Sequence, residues 1–268
     1  MKTAAEAGAA LLGGMLRDAK PVHGGCLSEI VLVELADGRK AIVKTGGAAR
    51  IEAAMLKAIA ASGAPAPKVL AVRDGLLVME AMPSDGRLGG AWPSLGVALA
   101  TLHAARGRQC GWAQDYAFSS VAIPNGWMAS WPAFWAERRL LPSCPHVAPE
   151  LARRIEALAA DLPRRLPDLP APSLLHGDLW GGNILASGVR VTAFIDPACY
   201  YGHGEVDIAM LNLFDHPSLA FYEAYGGLAP GHAERLNIYQ LWPALVHLRL
   251  FGGGYRGMVE RLLALAGV

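Results

Sequence analysis

No stretch of this 268-residue chain is apolar for long enough, without interruption, to span a bilayer. A soluble cytoplasmic protein is therefore expected. Charge of one sign is also missing, since 24 Lys and Arg stand against 23 Asp and Glu, a formal net charge of +1. That balance fits neither a nucleic-acid surface nor a polybasic membrane patch, so the expected partner is a small molecule. Cysteine is scarce. Cys26, Cys110, Cys144 and Cys199 lie far apart with no C-x-x-C pair, which fits a reduced chain better than a disulfide scaffold or a zinc site. The N-terminal MKTAAEAGAALLGGML resembles a signal peptide in Lys2 and its alanine-rich body, but Glu6, Arg17 and Asp18 interrupt it. It reads as an amphipathic first helix, with strand character beginning only at Pro21.

What is present is ample core material, 53% hydrophobic residues, enough for one large domain or two lobes. The densest chemistry lies between Leu174 and Tyr200, where His176, Asp178, Asn183 and Asp196 fall on a loop, a short hairpin and a second loop. Asp178 and Asn183 have the D-x-x-x-x-N spacing of a kinase catalytic loop, and Asp196 follows at about the distance of the metal-binding aspartate. In that pattern Asp178 takes the proton of an attacking hydroxyl, while Asn183 and Asp196 hold Mg²⁺ beside ATP. The reading is a phosphotransferase.

The N-terminal third supplies what such a site needs to cover a nucleotide. Gly24 and Gly25 form a glycine turn, residues 29–35 are rich in β-branched side chains, Asp37-Gly38 is a hairpin turn, and the return strand ends at Lys44. Glycines let backbone N–H groups approach phosphate oxygens, and Lys44 places a cation beside them. An exposed lysine and an ordinary turn are the plainer alternatives. Residues 48–61 read as a helix carrying Glu52, which in a kinase pairs with the strand lysine. A second hairpin runs through 69–72 and 76–82 into the breaker-rich 83–86. The expected architecture is α+β, a two-lobed protein-kinase-like fold. A small antiparallel-sheet lobe, 1–82, covers the nucleotide, and a larger, mainly helical lobe, 83–268, carries catalysis and substrate binding. Backbone groups of Glu80 and Met82 then face the adenine edge, with Met79 behind it.

Helices are expected at 92–105, about 150–162, from Asp207 onward and over 233–268, the last broken at Gly252-Gly253-Gly254. The segment 163–172 reads as a proline-rich lead-in to the catalytic loop. Between 111 and 141 the chain is dense in aromatics (Trp112, Tyr116, Phe118, Trp127, Trp131, Phe134 and Trp135), either a wall for an organic ligand or simple packing. His103 reads as a core or cap residue, His247 as a packing residue with a substrate contact as the alternative, and His176 as a loop brace. Asp207 is expected to cap its own helix, and with Glu205 to serve structure rather than bind metal directly.

His176-Gly177-Asp178 replaces the protein-kinase H-R-D, and Asp196-Pro197-Ala198 replaces D-F-G. Without the arginine nothing reads a phosphorylated activation loop, so a constitutively organised small-molecule kinase is expected. The stretches PVHGGCLSE, AIVKT, PNGW with ERRLL, HGDLWGGN, IDPACYYGHGEVDIAM and LVHLRLFGGGY resemble the fructosamine kinase (ketosamine kinase) family, in its order and over almost the whole chain. The resemblance implies ATP-dependent phosphorylation of the sugar 3-hydroxyl of ketosamines, free or on glycated lysine, after which the sugar is lost and the amine repaired. It also implies that Asp178 is the base, that Asn183 and Asp196 hold magnesium, that Lys44 with Glu52 orients the phosphates, and that Trp180 borders the sugar. A kinase for another small alcohol, such as an aminoglycoside or amino alcohol, is the alternative, and a non-catalytic nucleotide-binding protein a further one.

The chain departs from the family pattern at His203-Gly204, at Asp215-His216 in place of a Gly-Gly-Phe run, and at 119–123, all away from the phosphoryl-transfer groups. Those positions bear on the sugar and amine preference. Cys26 matches the family's glycine-loop cysteine, and a redox-linked homodimer through it is a further expectation.

Overall fold

The computed structural model describes residues 2–22, 29–85, 87–169 and 171–268. A five-stranded antiparallel sheet lies in the first 80 residues, in the order β1-β2-β3-β5-β4. Its strands are β1 (Leu16–Pro21), β2 (Ile30–Leu35), β3 (Lys40–Thr45), β4 (Val69–Arg73) and β5 (Leu76–Glu80). Strict alternation in IVLVEL turns Val31, Val33 and Leu35 of β2 to one buried face. There Val31 and Val33 join Val43, Val78 and Ala5 of helix α1 (Lys2–Leu11). Gly8 is the point of contact, because a Cβ there would sit 2.4 Å from Val43 Cγ2. The opposite face, through Leu77 and Met79, takes Ala53 and Leu56 of α2 (Ala49–Ala61).

The first element is shorter than the sequence suggests. α1 stops at Leu11, Gly13 follows with φ of 65°, and the chain returns as β1 rather than staying helical to Pro21. Helical spacing of the alanines hid this strand. β1 buries little beyond Leu16 and Ala19 and lies at the sheet edge, where Pro21 costs no ladder bond on its outer side.

Past the sheet the chain is mainly helical. α3 (Trp92–Ala104) packs on α7 (Leu219–Tyr225), closely enough that a Cβ on Gly96 would meet the Phe221 carbonyl at 2.4 Å. α4 (Trp131–Trp135), α5 (Pro149–Arg165), α8 (His232–Phe251) and α9 (Arg256–Leu265) share a second core built on Trp131, Trp135, Leu158, Leu245 and Leu263. α5 runs through Pro163 to Arg165, beyond the expected end and into the supposed lead-in. A proline in the last turn loses little, and Asp161 hydrogen-bonds Arg164 and Arg165 there while Arg165 Nη1 reaches the Ala266 carbonyl at 2.7 Å. Four short strand segments, β8 (Ser173–Leu175) with β11 (Tyr200–Gly202) and β9 (Ile184–Ser187) with β10 (Arg190–Phe194), frame the central loops. The whole is the α+β, two-lobed arrangement expected.

The segment joining the sheet to the helices is strapped down. Asp85 donates its N–H to the Ala186 carbonyl and accepts from Gly188 N at 2.7 Å, and Thr192 Oγ1 donates to the Pro83 carbonyl at 2.7 Å. Met55 and Ile59 of α2 meanwhile enter the core formed by Leu95, Leu99, Leu179 and Phe194.

Candidate active site

The loop after β8 begins with a histidine whose two ring nitrogens are both taken up by backbone groups. His176 is fully buried, its Nε2–H donates to the Ile195 carbonyl at 2.9 Å and its Nδ1 accepts from Asp178 N at 3.3 Å. Burial lowers its pKa, in keeping with a neutral ring that ties one loop to the other. Gly177 follows with φ of 83°, and a Cβ there would lie 2.1 Å from the Ala198 carbonyl oxygen. Only glycine fits.

Asp178 is half-buried, and its carboxyl is pushed up to about 7, chiefly by burial and further by the charges of Asp196 and Asp207. Such a group is poised to accept a proton near neutral pH. Asn183, on the short 3₁₀ turn Gly181–Asn183, donates Nδ2 to the Asp178 carbonyl at 2.8 Å and to Asp178 Oδ2 at 3.0 Å. Its Oδ1 is thus the atom it can turn to a cation. Asp196 sits in the left-handed region with φ of 53°, a conformation held by Ile195 N on the Asn183 carbonyl and Ala198 N on the His176 carbonyl. Asn183 and Asp196 together offer hard oxygen ligands of the type Mg²⁺ takes. Among the described residues no group of three or more His, Cys, Asp or Glu forms a cation cage. A two-ligand site suits a cation that keeps waters and substrate phosphates.

Lys44, at the end of β3, connects the sheet to this loop. Its Nζ lies 2.8 Å from Glu52 Oε1 and 2.9 Å from Asp196 Oδ1, with Lys44 and Glu52 both buried. Burial alone would favour the neutral amine, but Glu52 and then Asp196 outweigh it and raise the pKa. The ammonium is therefore held charged and pointed at the second loop. Glu80 ends β5 exposed with its N–H on the Lys68 carbonyl, Met82 follows half-buried, and Met79 is buried behind them. Trp180 is 43% exposed, and its ring lies where a Cβ on Gly182 would be, 2.3 Å away. Gly24, Gly25 and Cys26 lie outside the described residues. Cys110, Cys144 and Cys199 are free thiols.

The most important support group was misread in the sequence. Asp207 does not cap α6 (Glu205–Phe214). It stands inside the helix and sends both oxygens to the catalytic loop, Oδ2 accepting from His176 N at 2.7 Å and Oδ1 from Gly177 N at 2.9 Å. His103 Nε2 also lies 3.0 Å from Asp207 Oδ2, and its Nδ1 is 2.8 Å from the Tyr225 hydroxyl, so His103 braces from outside the reaction centre. A lone carboxylate in the apolar run VDIAML was the available signal. Tyr116, on the hairpin β6 (Tyr116–Phe118) and β7 (Val121–Ile123), was read only as one aromatic among many. Burial raises its pKa most, and the carboxylates of Glu52, Asp196 and Asp178 add to the shift, while its ring meets Phe118 edge-on and packs against both helical cores. The other rings mostly pack. Arg139 is buried among Phe134, Tyr200 and Trp242 at 4.7, 4.1 and 4.9 Å, and its Nη2 donates to Asn125 Oδ1 at 2.8 Å, anchoring the end of that hairpin.

The profile of the fructosamine kinase family matches residues 4–266. The chain belongs to the fructosamine kinase family. A Synechocystis protein assigned as a ketoamine kinase is 36% identical over 273 residues, covering 92% of this chain and 90% of that one. The ketosamine-3-kinase of Mus musculus is 40% identical over 143 residues, 50% of this chain and 46% of the mouse protein. Among solved structures, a Thermobifida fusca protein assigned as a fructosamine-3-kinase superposes with a TM-score of 0.91 at 31% identity, covering 99% of both chains. A macrolide 2'-phosphotransferase of Brachybacterium faecium, with a TM-score of 0.63 at 21% identity over 95% of this chain and 96% of that one, shares the fold. This chain and that more distant phosphotransferase therefore have one architecture in common.

Proposed function

We propose that this protein is an ATP-dependent kinase that phosphorylates the sugar 3-hydroxyl of ketosamines, the rearranged adducts of sugars with amines, including glycated lysine. The observation that carries the reading is the Lys44–Glu52–Asp196 ion triad set beside the hydrogen-bonded Asp178–Asn183 pair, in a chain of this family. Asp178 takes the proton as the hydroxyl oxygen attacks the terminal phosphorus of ATP, and ADP leaves. Lys44 orients the phosphates, backbone groups of Glu80 and Met82 meet the adenine, and Gly24 and Gly25 are assigned to the phosphates on the sequence alone. Asn183 Oδ1 and Asp196 would hold Mg²⁺, which supplies charge neutralisation on the phosphate oxygens. Trp180 borders the sugar. The division of labour is between residues 1–82, covering the nucleotide, and 83–268, holding substrate and base. The 3-phosphate promotes spontaneous loss of the sugar, so the reaction serves amine repair. No described helix is long and apolar enough to cross a membrane, and the three described free thiols suit a reduced cytoplasmic setting.

ADP release measured with ribulosyl-lysine and fructosyl-lysine tests this. Wild type turns over at least one of them, and Asp178→Asn loses on the order of 10²–10⁴ in kcat, the contribution of a general base. A variant as fast as wild type would remove Asp178 as base. Turnover of an aminoglycoside with neither sugar adduct accepted would falsify the ketosamine assignment.

A further inference from the structure

Two adjacent side chains at the C-terminal end of α6 point to different neighbours. Asp215 Oδ2 accepts the Gly181 N–H at 2.7 Å, and Oδ1 lies 2.6 Å from where a Cβ on Gly181 would stand. The carboxylate thus rests half-buried against the turn that carries Trp180. Phe214 instead packs on His247 of α8, ring centroids 4.8 Å apart. His247 meets Phe251 at 5.5 Å and Tyr255 at 5.1 Å, and those two rings are 5.9 Å apart. His247 Nδ1 donates to the Pro243 carbonyl at 2.8 Å and burial lowers its pKa, so the cluster contains a neutral imidazole and no cation of its own. Phe251 is 56% exposed, which leaves the cluster open to solvent.

Among the described residues Asp215 has a backbone donor but no Lys, Arg or His in ion-pair contact. A carboxylate without a paired cation, one residue along the chain from an open shelf of rings, suits a ligand that carries a positive charge and an apolar arm reaching from one to the other. The peptide 180–181 joins this corner to the catalytic loop, two residues past Asp178. A ketosamine has the matching chemistry. Its nitrogen is a secondary ammonium at neutral pH, one carbon from the sugar carbonyl, and it bears the alkyl or aryl substituent of the parent amine.

We propose that Asp215 with Phe214, His247, Phe251 and Tyr255 forms the subsite for the amine half of the ketosamine, the carboxylate pairing with the ammonium and the rings covering its arm. The assignment rests on the kinase reading above and locates amine preference at the end of α6. The sugar remains with Trp180 and the catalytic loop.

The test compares 1-deoxyfructose, which has no nitrogen, with the methylamine and butylamine adducts of fructose. Asp215→Asn retains an oxygen for the Gly181 N–H and removes only the charge. Its preference for the butylamine adduct over 1-deoxyfructose, as a ratio of kcat/KM, falls about threefold to tenfold, carried by KM. Phe251→Ala erases most of the gain from methyl to butyl, about threefold to tenfold for the apolar area removed. An unchanged preference ratio in Asp215→Asn, or an equal loss on all three sugars, overturns the subsite. The same ratio is read from calorimetric dissociation constants without turnover. Absence of phosphorylation on every ketosamine therefore removes the kinase reading, while the subsite stands or falls on whether the charged adducts bind better than 1-deoxyfructose and lose that advantage in Asp215→Asn.

Discussion

Asp207 touches no reacting atom, yet two backbone N–H groups of the catalytic loop depend on it. Replacing it with alanine leaves both donors buried without partners, and each such orphan costs about 1–3 kcal/mol. Asp207→Ala is therefore expected to lose about 3 kcal/mol or more in urea unfolding, with kcat falling alongside because Asp178 is the next residue on that loop. Asp207→Asn, which retains one acceptor oxygen, should lose less. A variant with wild-type stability would show that water takes over both N–H groups. Gly177 is a different case. Its place in H-G-D was legible as the absence of an arginine, whereas the reason a side chain is excluded, the Ala198 carbonyl 2.1 Å from a would-be Cβ, exists only once the second loop folds back.

Among the elements, α6 does the most to hold the site together, and almost none of it by capping itself. Its N-terminal Glu205 forms a two-pronged ion pair with Arg235 of α8, at 2.6 and 2.7 Å. Asp207 goes to the catalytic loop, Asn212 Oδ1 accepts from the Tyr222 hydroxyl at 2.8 Å, and Asp215 just beyond its end holds the Gly181 turn. Glu205 is 5% exposed, so removing its partner strands a buried carboxylate. Arg235→Met should cost about 3–5 kcal/mol in denaturant unfolding, and the double variant Glu205→Gln, Arg235→Met should regain a good part of it. Equal stability of single and double variants would mean that solvent reaches Glu205. Hydrophobic spacing made α6 visible as a helix, but spacing does not say which turn of the chain an acidic side chain will meet.

For the molecule as a whole, acid exposes a cost of building polar groups into this core. His203 receives the Tyr239 hydroxyl on Nδ1 at 2.8 Å, while that oxygen accepts from Trp131 Nε1 at 2.9 Å. Burial is the main reason its pKa falls to about 4, against 6.5 for a free imidazole. Between those values the unfolded chain binds a proton that the folded chain does not, so stability contributed at this position is lost as pH falls from about 6.5 towards 4. The difference in unfolding free energy between wild type and His203→Gln should therefore shift by about 3 kcal/mol against wild type over that window, followed by urea midpoints at several pH values. A pH-independent difference would mean that His203 protonates as readily folded as unfolded.

Local patterning carried a great deal: the alternation of β2, the Asp37-Gly38 turn, the apolar spacing of α2 and the D-x-x-x-x-N motif each depend on residues a few positions apart. So the two-lobed class, the family and the order of Lys44, Glu52, Asp178, Asn183 and Asp196 could all be read from the chain alone. The strand at 16–21 was lost because a short edge strand with two inward residues has too little periodicity to announce itself. Long-range partners were beyond reach for a stronger reason. Whether Asp207 caps a helix or clamps a loop, and whether Asp215 meets solvent or Gly181, depend on contacts between residues about 30 to 35 positions apart. The same side chain satisfies either role locally, and only the packing of α6 against the catalytic loops selects one.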